Sequence, residues 1–129
     1  MVKQAKQVKI IEKDKQDIKK YAVGIPSRGI ERITYIQDIV CAFEKAINKP
    51  QYIVVVDNND GNVLNDKIKS TMFPVYIVKS EYGTNAPSGN QTALNKFVED
   101  EIDIAFKWDD DLVPQDGCID KLFNLDFVS

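Results

Sequence analysis

Three consecutive aspartates, residues 109–111, are the side chains of this sequence best suited to chemistry. Neighbouring carboxylates repel one another by on the order of 1 kcal/mol per close pair in water, and a bound cation relieves that repulsion. In an extended stretch, Asp109 and Asp111 share one side while Asp110 points away, so two carboxylates can face one ion. Such oxygen ligands suit Mg²⁺ or Mn²⁺, and Mg²⁺ is usually held by one or two carboxylates together with phosphate oxygens. The alternative is a turn or helix-capping cluster, where aspartate is also common.

Two further polar segments follow apolar runs, as the aspartate triplet does. The first is Pro26-Ser27-Arg28, in which the guanidinium of Arg28 either pairs with a phosphate or is solvated. The second is Asp57-Asn58-Asn59-Asp60. Asp57 either hydrogen-bonds a nucleobase or ribose or satisfies the amides of a turn, and Asn58 fits a turn equally well. A later segment, residues 83–95, either closes over a ligand with donors such as Asn90, Gln91 and Asn95, or is a flexible loop.

Alternating strands and helices are predicted to position these segments. Continuous apolar runs predict strands at residues 21–25, 52–56, 75–78 and 102–108. Apolar residues at helical spacing predict a helix over 33–47 and a short polar helix with Val63, Leu64 and Ile68. A loop over 80–90 is followed by a helix that includes 93–98 and by a last helix near 115–124. This order predicts a three-layer α/β domain, with a mostly parallel sheet flanked by helices. Because such sheets bind ligands beyond the carboxyl ends of their strands, we expect the polar segments to converge.

The composition of the 129 residues is that of a globular domain, with 43% hydrophobic and 29% charged residues. No apolar run approaches the roughly 18 residues of a membrane span, and the N-terminus lacks the apolar core of a secretory signal. We therefore expect a cytoplasmic protein in which Cys41 and Cys118 are thiols. The absence of histidine excludes His-based acid–base catalysis, serine–histidine triads and His metal ligands.

Charge is unevenly distributed along the chain and indicates a boundary near residue 20. Residues 1–20 contain seven lysines and three acidic residues, whereas residues 99–129 contain ten acidic residues and two lysines. We expect residues 1–20 to be a basic extension or helix, either solvated or directed to nucleic acid or an anionic surface. Residues 21–129 are expected to form the α/β domain.

The order of these segments resembles the N-terminal half of a glycosyltransferase with the GT-A fold, most closely the inverting enzymes of family 2. The matching segments, within about residues 20–125, are Ile25-Pro26-Ser27-Arg28, Val55-Val56-Asp57-Asn58-Asn59-Asp60-Gly61, Gly89-Asn90-Gln91-Thr92-Ala93-Leu94-Asn95, and the DxD motif in Trp108-Asp109-Asp110-Asp111-Leu112-Val113-Pro114. The chain departs from the family at Ala93-Leu94-Asn95, where Ala-Arg-Asn is usual.

The resemblance implies a glycosyltransferase, or its donor-binding portion, that transfers a sugar from a UDP- or GDP-linked donor to an unknown acceptor. It also implies Mn²⁺ or Mg²⁺ as cofactor, held by Asp109 and Asp111, with Asp111 as the direct ligand. The residues that it implies in nucleotide-sugar binding are Pro26, Ser27, Arg28, Asp57, Asn58, Asn90, Asn95, Asp109 and Asp110. Family members continue into an acceptor half that supplies the catalytic base. We therefore expect this chain to be the nucleotide-binding half, with no base assigned.

Other functions match parts of the pattern. The main alternative is a non-catalytic module that binds a nucleotide or nucleotide sugar without transfer. A phosphoacceptor receiver domain would need an acidic pair after its first strand, where this chain has Ser27-Arg28. A sugar nucleotidyltransferase would need a glycine-rich basic loop at the same place. A half domain also leaves a sheet edge exposed, and a homo-oligomer would cover it.

Overall fold

The computed structural model describes residues 21–64 and 67–125, so the basic segment 1–20 lies outside the described residues. The elements in chain order are β1 (Tyr21–Ser27), α1 (Ile33–Lys45), β2 (Ile53–Asp57), β3 (Val75–Lys79), α2 (Ala86–Glu99), β4 (Ile104–Lys107) and α3 (Cys118–Leu125). A short 3₁₀ turn, Ile30–Arg32, precedes α1. None of the helices within the described ranges is long and apolar enough to cross a membrane.

The four strands form one parallel sheet in the order β3-β2-β1-β4. Its register aligns Ser27 with Asp57, and Asp57 with Lys79, at the carboxyl ends of β1, β2 and β3. β4 pairs with the first part of β1, with Gly24 opposite Lys107, so the residues after β4 run on beside the end of β1. This sheet confirms the predicted α/β fold. It also brings the segments that follow β1, β2 and β4 to one edge.

Helices cover both faces of the sheet, which gives the predicted three layers. On one face, α1 packs against β1 and β2 through Ile36, Ile39, Val40 and Phe43. On the other face, α2 packs against the same two strands through Ala93 and Phe97. All five residues of β2 are buried, as its continuous apolar run predicts for a strand covered on both sides.

The predicted short helix after β2 is wrong for the described residues of its segment, 61–64 and 67–70, which are not helical. Leu64 and Ile68 are nevertheless buried in the core. The amide of Leu64 donates to the carboxylate of Asp57 over 3.1 Å. This bond ties the described part of the segment to the end of β2.

Two other predicted helices begin at different residues from those expected. α2 begins at Ala86, inside the stretch predicted as a loop, because the side chain of Asn85 caps it by accepting from the amide of Ser88. α3 begins at Cys118 rather than near Gln115. Gly117, immediately before it, has a positive φ of 82°, which a helix does not accommodate.

Candidate functional site

A cavity of about 500 Å³ opens at the carboxyl edge of the sheet, beyond β1, β2 and β4. This volume lies within the roughly 300–1,000 Å³ typical of small-molecule pockets. The residues predicted from the sequence that line it are Pro26, Ser27, Arg28, Asn58, Asn90 and the aspartates 109–111. Asp57 and Asn95 do not line it. The three polar strand ends therefore meet at one cavity, while two of the predicted residues have other surroundings.

The aspartate triplet forms a turn, not the extended stretch that would put Asp109 and Asp111 on one side. The amide of Leu112 donates to the carbonyl of Asp109 over 3.2 Å, which closes the turn. Trp108 anchors the segment, because its ring packs edge-on against Phe43 with centroids 5.3 Å apart and its Nε1 donates to the carbonyl of Leu112. The turn directs the three carboxylates to different partners.

Asp110 is the least exposed carboxylate of the triplet, with 18% of its side chain accessible. Its Oδ2 accepts a hydrogen bond of 2.8 Å from Oγ of Ser27. Its Oδ1 lies 3.8 Å from Nη1 of Arg32, and the same nitrogen lies 3.1 Å from Oδ2 of Asp111. Because β4 pairs with β1, these side-chain contacts connect the triplet to the end of β1 and to the start of α1.

Arg32 stands at the N-cap of α1, and its side chain makes no capping hydrogen bond. The helix macrodipole opposes a positive charge at this end of a helix, so the helix itself does not stabilise the guanidinium. The hydrogen bond to Asp111, and then the charge of Asp110, raise the pKa of Arg32. The carboxylates therefore compensate for an unfavourable position of the arginine.

Two cations, Arg28 and Lys107, line the cavity itself. Nζ of Lys107 lies 3.4 Å from Oδ1 of Asp109, and both side chains are mostly exposed, so this pair contributes little to stability. Arg28 is exposed and makes no ion pair with any other residue of the described chain. Its guanidinium is thus available to an anionic ligand.

Asn58 is a buried amide without a complete set of hydrogen bonds. The residue is only 4% exposed, and its Oδ1 has no partner among the described residues. Oδ1 of Asn90, also in the cavity lining, lacks a partner there as well. A buried polar atom left unsatisfied costs about 1–3 kcal/mol. A ligand that donates N–H or O–H groups would remove that cost.

Glycine at position 89 is required by the close approach of α2 to this amide. A Cβ on Gly89 would lie 2.6 Å from Nδ2 and 2.9 Å from Oδ1 of Asn58, and 3.0 Å from Cβ of Pro26. The two contacts with Asn58 are shorter than real Cβ atoms make, so a larger residue would force the cavity wall to shift.

Asp57 is 1% exposed, and its carboxylate organises the loop that follows β2. It accepts hydrogen bonds from the amide and the Nδ2 of Asn59, at 2.9 and 2.8 Å, and from the amide of Leu64 at 3.1 Å. Burial by itself raises the pKa of Asp57, but these hydrogen bonds and the charge of Lys79 outweigh it and lower the pKa. Asp57 lines a separate, smaller cavity of about 240 Å³. The geometry favours the turn-forming role over direct contact with a ligand in the larger cavity.

Asn95 makes hydrogen bonds on the outer side of α2. Its Nδ2 donates to the hydroxyl of Tyr82 over 2.7 Å, and its Oδ1 accepts from Nε2 of Gln91 over 2.8 Å. Both amides that were predicted as ligand donors, Gln91 and Asn95, are therefore engaged with each other.

Two residues at the site were not predicted from the sequence: Lys107 lines the cavity, and Arg32 contacts the triplet. Thr84, Asn85 and Ala86 also line the cavity, and they belong to the segment 83–95 that was predicted to close over a ligand, although none of them was named as a binding residue. Asn85 followed by a proline two residues later is a recognisable helix start, and that signal predicts the position of the α2 N-terminus at the cavity. No local pattern marks Arg32, because its partners are distant in sequence.

The oxygen donors match a divalent cation only in part. Among the described residues, no group of three or more acidic, cysteine or histidine side chains is arranged to hold a metal. The three carboxylates of the triplet are hard ligands, and one or two of them are enough for Mg²⁺ when phosphate oxygens and water complete the coordination. The residues therefore suit a metal that arrives with a phosphate-bearing ligand.

A scan against models of known protein families and a search of curated proteins each found no match for this chain.

Proposed function

We propose that this chain binds a nucleoside-diphosphate sugar and is a glycosyltransferase of the GT-A type, or the donor-binding portion of one. The observation that carries the proposal is the chemistry of one cavity of about 500 Å³ at the carboxyl edge of a parallel sheet. It combines the exposed guanidinium of Arg28, the amide oxygens of Asn58 and Asn90, which have no partner among the described residues, and the aspartate triplet. These groups match a diphosphate, the N–H and O–H groups of a base or sugar, and a divalent ion.

Each group has a distinct role in the proposal. Arg28 pairs with the diphosphate, because a guanidinium recognises phosphate through two parallel hydrogen bonds. Asn58 and Asn90 accept hydrogen bonds from the nucleoside or the sugar. Asp111, with Asp109, holds Mn²⁺ or Mg²⁺ together with the diphosphate oxygens. The metal, when bound, supplies Lewis-acid stabilisation of the departing nucleoside diphosphate.

Ser27 and Asp57 support the site through other residues. The hydroxyl of Ser27 donates to Asp110 and so fixes the turn that presents Asp109 and Asp111. Asp57 fixes the loop after β2, whose first residue, Asn58, lines the cavity.

Binding without transfer is the second candidate, and the positions of two acidic residues favour it. Asp116 pairs with Lys45, and Oδ1 of Asp120 accepts from the amide of Ile47 over 2.8 Å. Both aspartates line a different cavity of about 220 Å³. In the part of the chain that the structure describes, the triplet therefore supplies the only carboxylates of the proposed donor cavity, and none is left over as a catalytic base.

Calorimetric titration with UDP and with GDP, each with and without Mn²⁺, tests donor binding. We expect binding that depends on Mn²⁺ and that Asp111→Asn weakens about tenfold or more, since loss of even an outer-shell partner of a metal ligand costs about 10–100-fold in metal affinity. Asp116→Asn is the matched control, because it removes an exposed carboxylate outside the cavity. The proposal fails if neither nucleotide binds with any divalent ion, or if both variants bind like the wild type.

Hydrolysis assays with a panel of UDP- and GDP-sugars separate sugar transfer from binding alone. Release of nucleoside diphosphate by the wild type, lost in Asp111→Asn, supports a transferase. Tight binding of the donor without any release supports binding without transfer by this chain.

A further inference from the structure

We infer that Arg32 is a built-in counter-ion that a divalent metal must displace from Asp111, so that Arg32 couples metal binding to nucleotide binding. The inference rests on the proposed donor function and concerns the regulation of that same site. Its basis is the contact between Nη1 of Arg32 and two carboxylates of the triplet, at 3.1 Å from Asp111 and 3.8 Å from Asp110.

The guanidinium and a metal ion cannot share Asp111 without repulsion. At 3.1 Å, the arginine nitrogen occupies the position of a ligand on Oδ2 of Asp111. A divalent ion on that oxygen would lie within a few ångströms of a like charge, which is unfavourable even in water. Asp110 holds the guanidinium close to the triplet, because its Oδ1 lies 3.8 Å from the same nitrogen. Metal ligation by Asp111 therefore requires Arg32 to move.

The surroundings allow that movement. The side chain of Arg32 is 34% exposed and that of Asp111 is 56% exposed, so the pair is open to solvent on one side. The backbone before α1 is held in place, since the amide of Arg32 donates to the carbonyl of Gly29, and the amide of Gly29 donates to Oδ1 of Asn59 over 2.8 Å. The side chain can thus change partner while the helix start remains fixed.

An independent observation indicates that the cavity receives a ligand. Asn58 is buried and lines the cavity, yet its Oδ1 is unpaired among the described residues. The carboxylates, in contrast, are already neutralised by Arg32 and Lys107. A metal alone would leave the released arginine without an anionic partner. A metal with a nucleoside diphosphate provides for both groups, because the diphosphate accepts the arginine and the nucleoside donates to the amide.

The metal and the nucleotide should therefore bind cooperatively in the wild type. When a nucleotide compensates for the displaced guanidinium, it raises the affinity for the metal, and linkage requires the metal to raise the affinity for the nucleotide by the same factor. Without the charge of Arg32, the metal has no competitor on Asp111, so it should bind more tightly alone and depend less on the nucleotide.

Calorimetric titration with Mn²⁺ alone tests the competition in the wild type, Arg32→Gln, Arg32→Lys and Lys45→Gln. We expect Arg32→Gln to bind Mn²⁺ about fivefold more tightly, the factor that corresponds to no longer breaking one ion pair of unit charges at about 4 Å in water. Arg32→Lys keeps the charge, and because a single arginine nitrogen makes the contact with Asp111, the affinity for Mn²⁺ should stay within about twofold of the wild type. Lys45→Gln removes a charge from the other end of α1, where Lys45 pairs with Asp116, and should change nothing.

Displacement can also be read directly in the folded wild type by NMR. The Nε–Hε signal of Arg32, assigned by its absence in Arg32→Lys, should shift when Mg²⁺ and UDP are added together and shift little with UDP alone. This measurement does not depend on whether Arg32→Gln folds.

Two outcomes overturn the inference. If the wild type binds Mn²⁺ with UDP or GDP but Arg32→Gln has wild-type affinity for Mn²⁺, or if the Arg32 signal does not respond to saturating Mg²⁺ and UDP, the counter-ion role fails alone. If neither protein binds Mn²⁺ with or without nucleotide, the proposed donor function fails with it.

Discussion

Replacing Asp57 with alanine should destabilise the fold, because its carboxylate supports a loop. The carboxylate accepts from the amides of Asn59 and Leu64 at 2.9 and 3.1 Å, and from Nδ2 of Asn59 at 2.8 Å. The Asn59 side chain can turn towards water, but the two backbone donors would lose their acceptor. Hydrogen bonds to a charged group contribute about 1.5–3 kcal/mol each, so the loss of two should lower the free energy of unfolding by about 3–6 kcal/mol. The partly exposed Lys79, 4.0 Å away, adds little.

Urea unfolding, followed by the fluorescence of the single tryptophan, measures this effect at pH 7. Asp60→Ala is the matched control, since Asp60 is an exposed acid in the same loop, and its replacement should change the free energy of unfolding by less than about 0.5 kcal/mol. Equal stability of Asp57→Ala and the wild type, together with lost nucleotide binding, would show that Asp57 contacts the ligand and that the structural role is wrong.

The pH dependence provides a second measurement on the same residue. The pKa of Asp57 is lowered in the folded protein, so its carboxylate stabilises the fold above the unfolded-state pKa of about 3.9. That contribution is lost as the pH falls through the lower, folded-state pKa. The stability difference between the wild type and Asp57→Asn should therefore be largest near neutral pH and shrink in acid. A difference that stays constant down to about pH 2 would contradict this.

Two further predictions concern packing. Gly89→Ala should lower the free energy of unfolding by about 1–3 kcal/mol in chemical denaturation, because its Cβ would lie 2.6 Å from the Asn58 amide. In the double variant Gly89→Ala/Asn58→Ala, part of that loss of stability should be recovered. If the changes in the free energy of unfolding of the two single variants simply add in the double variant, the predicted contact is contradicted. Phe43→Ala should lower it by about 3–5 kcal/mol and shift the emission of Trp108 to the red, because Phe43 is buried edge-on against that ring. Tyr35→Ala, at a half-exposed aromatic on the same helix, should have a much smaller effect in the same assay.

Much of the fold could be predicted from the sequence, because the strands and helices depend on the local spacing of apolar residues. The continuous apolar run of β2 requires cover on both faces, and the helical spacing of Ile36, Val40 and Phe43 requires one buried stripe on α1. The start of α2 was also signalled locally, by Asn85 as a cap, but the abundance of small polar residues around it favoured a loop. The irregular loop after β2 was not predictable in this way, since it depends on where the carboxylate of Asp57 points.

The candidate site was likewise predictable in part from the sequence. The sequence by itself determined which segments carry polar groups and, through the parallel sheet, that these segments meet at one edge. Only the tertiary structure decided the partner of each group, because partners depend on strand register and side-chain direction, which are set by contacts between distant residues. Ser27 and Asp110 are 83 positions apart, and Arg32 reaches Asp111 only because β4 pairs in parallel with β1. For that reason the sequence shows three adjacent carboxylates without their partners. In the folded chain, Asp109 lies beside Lys107, and Asp110 and Asp111 lie beside Arg32.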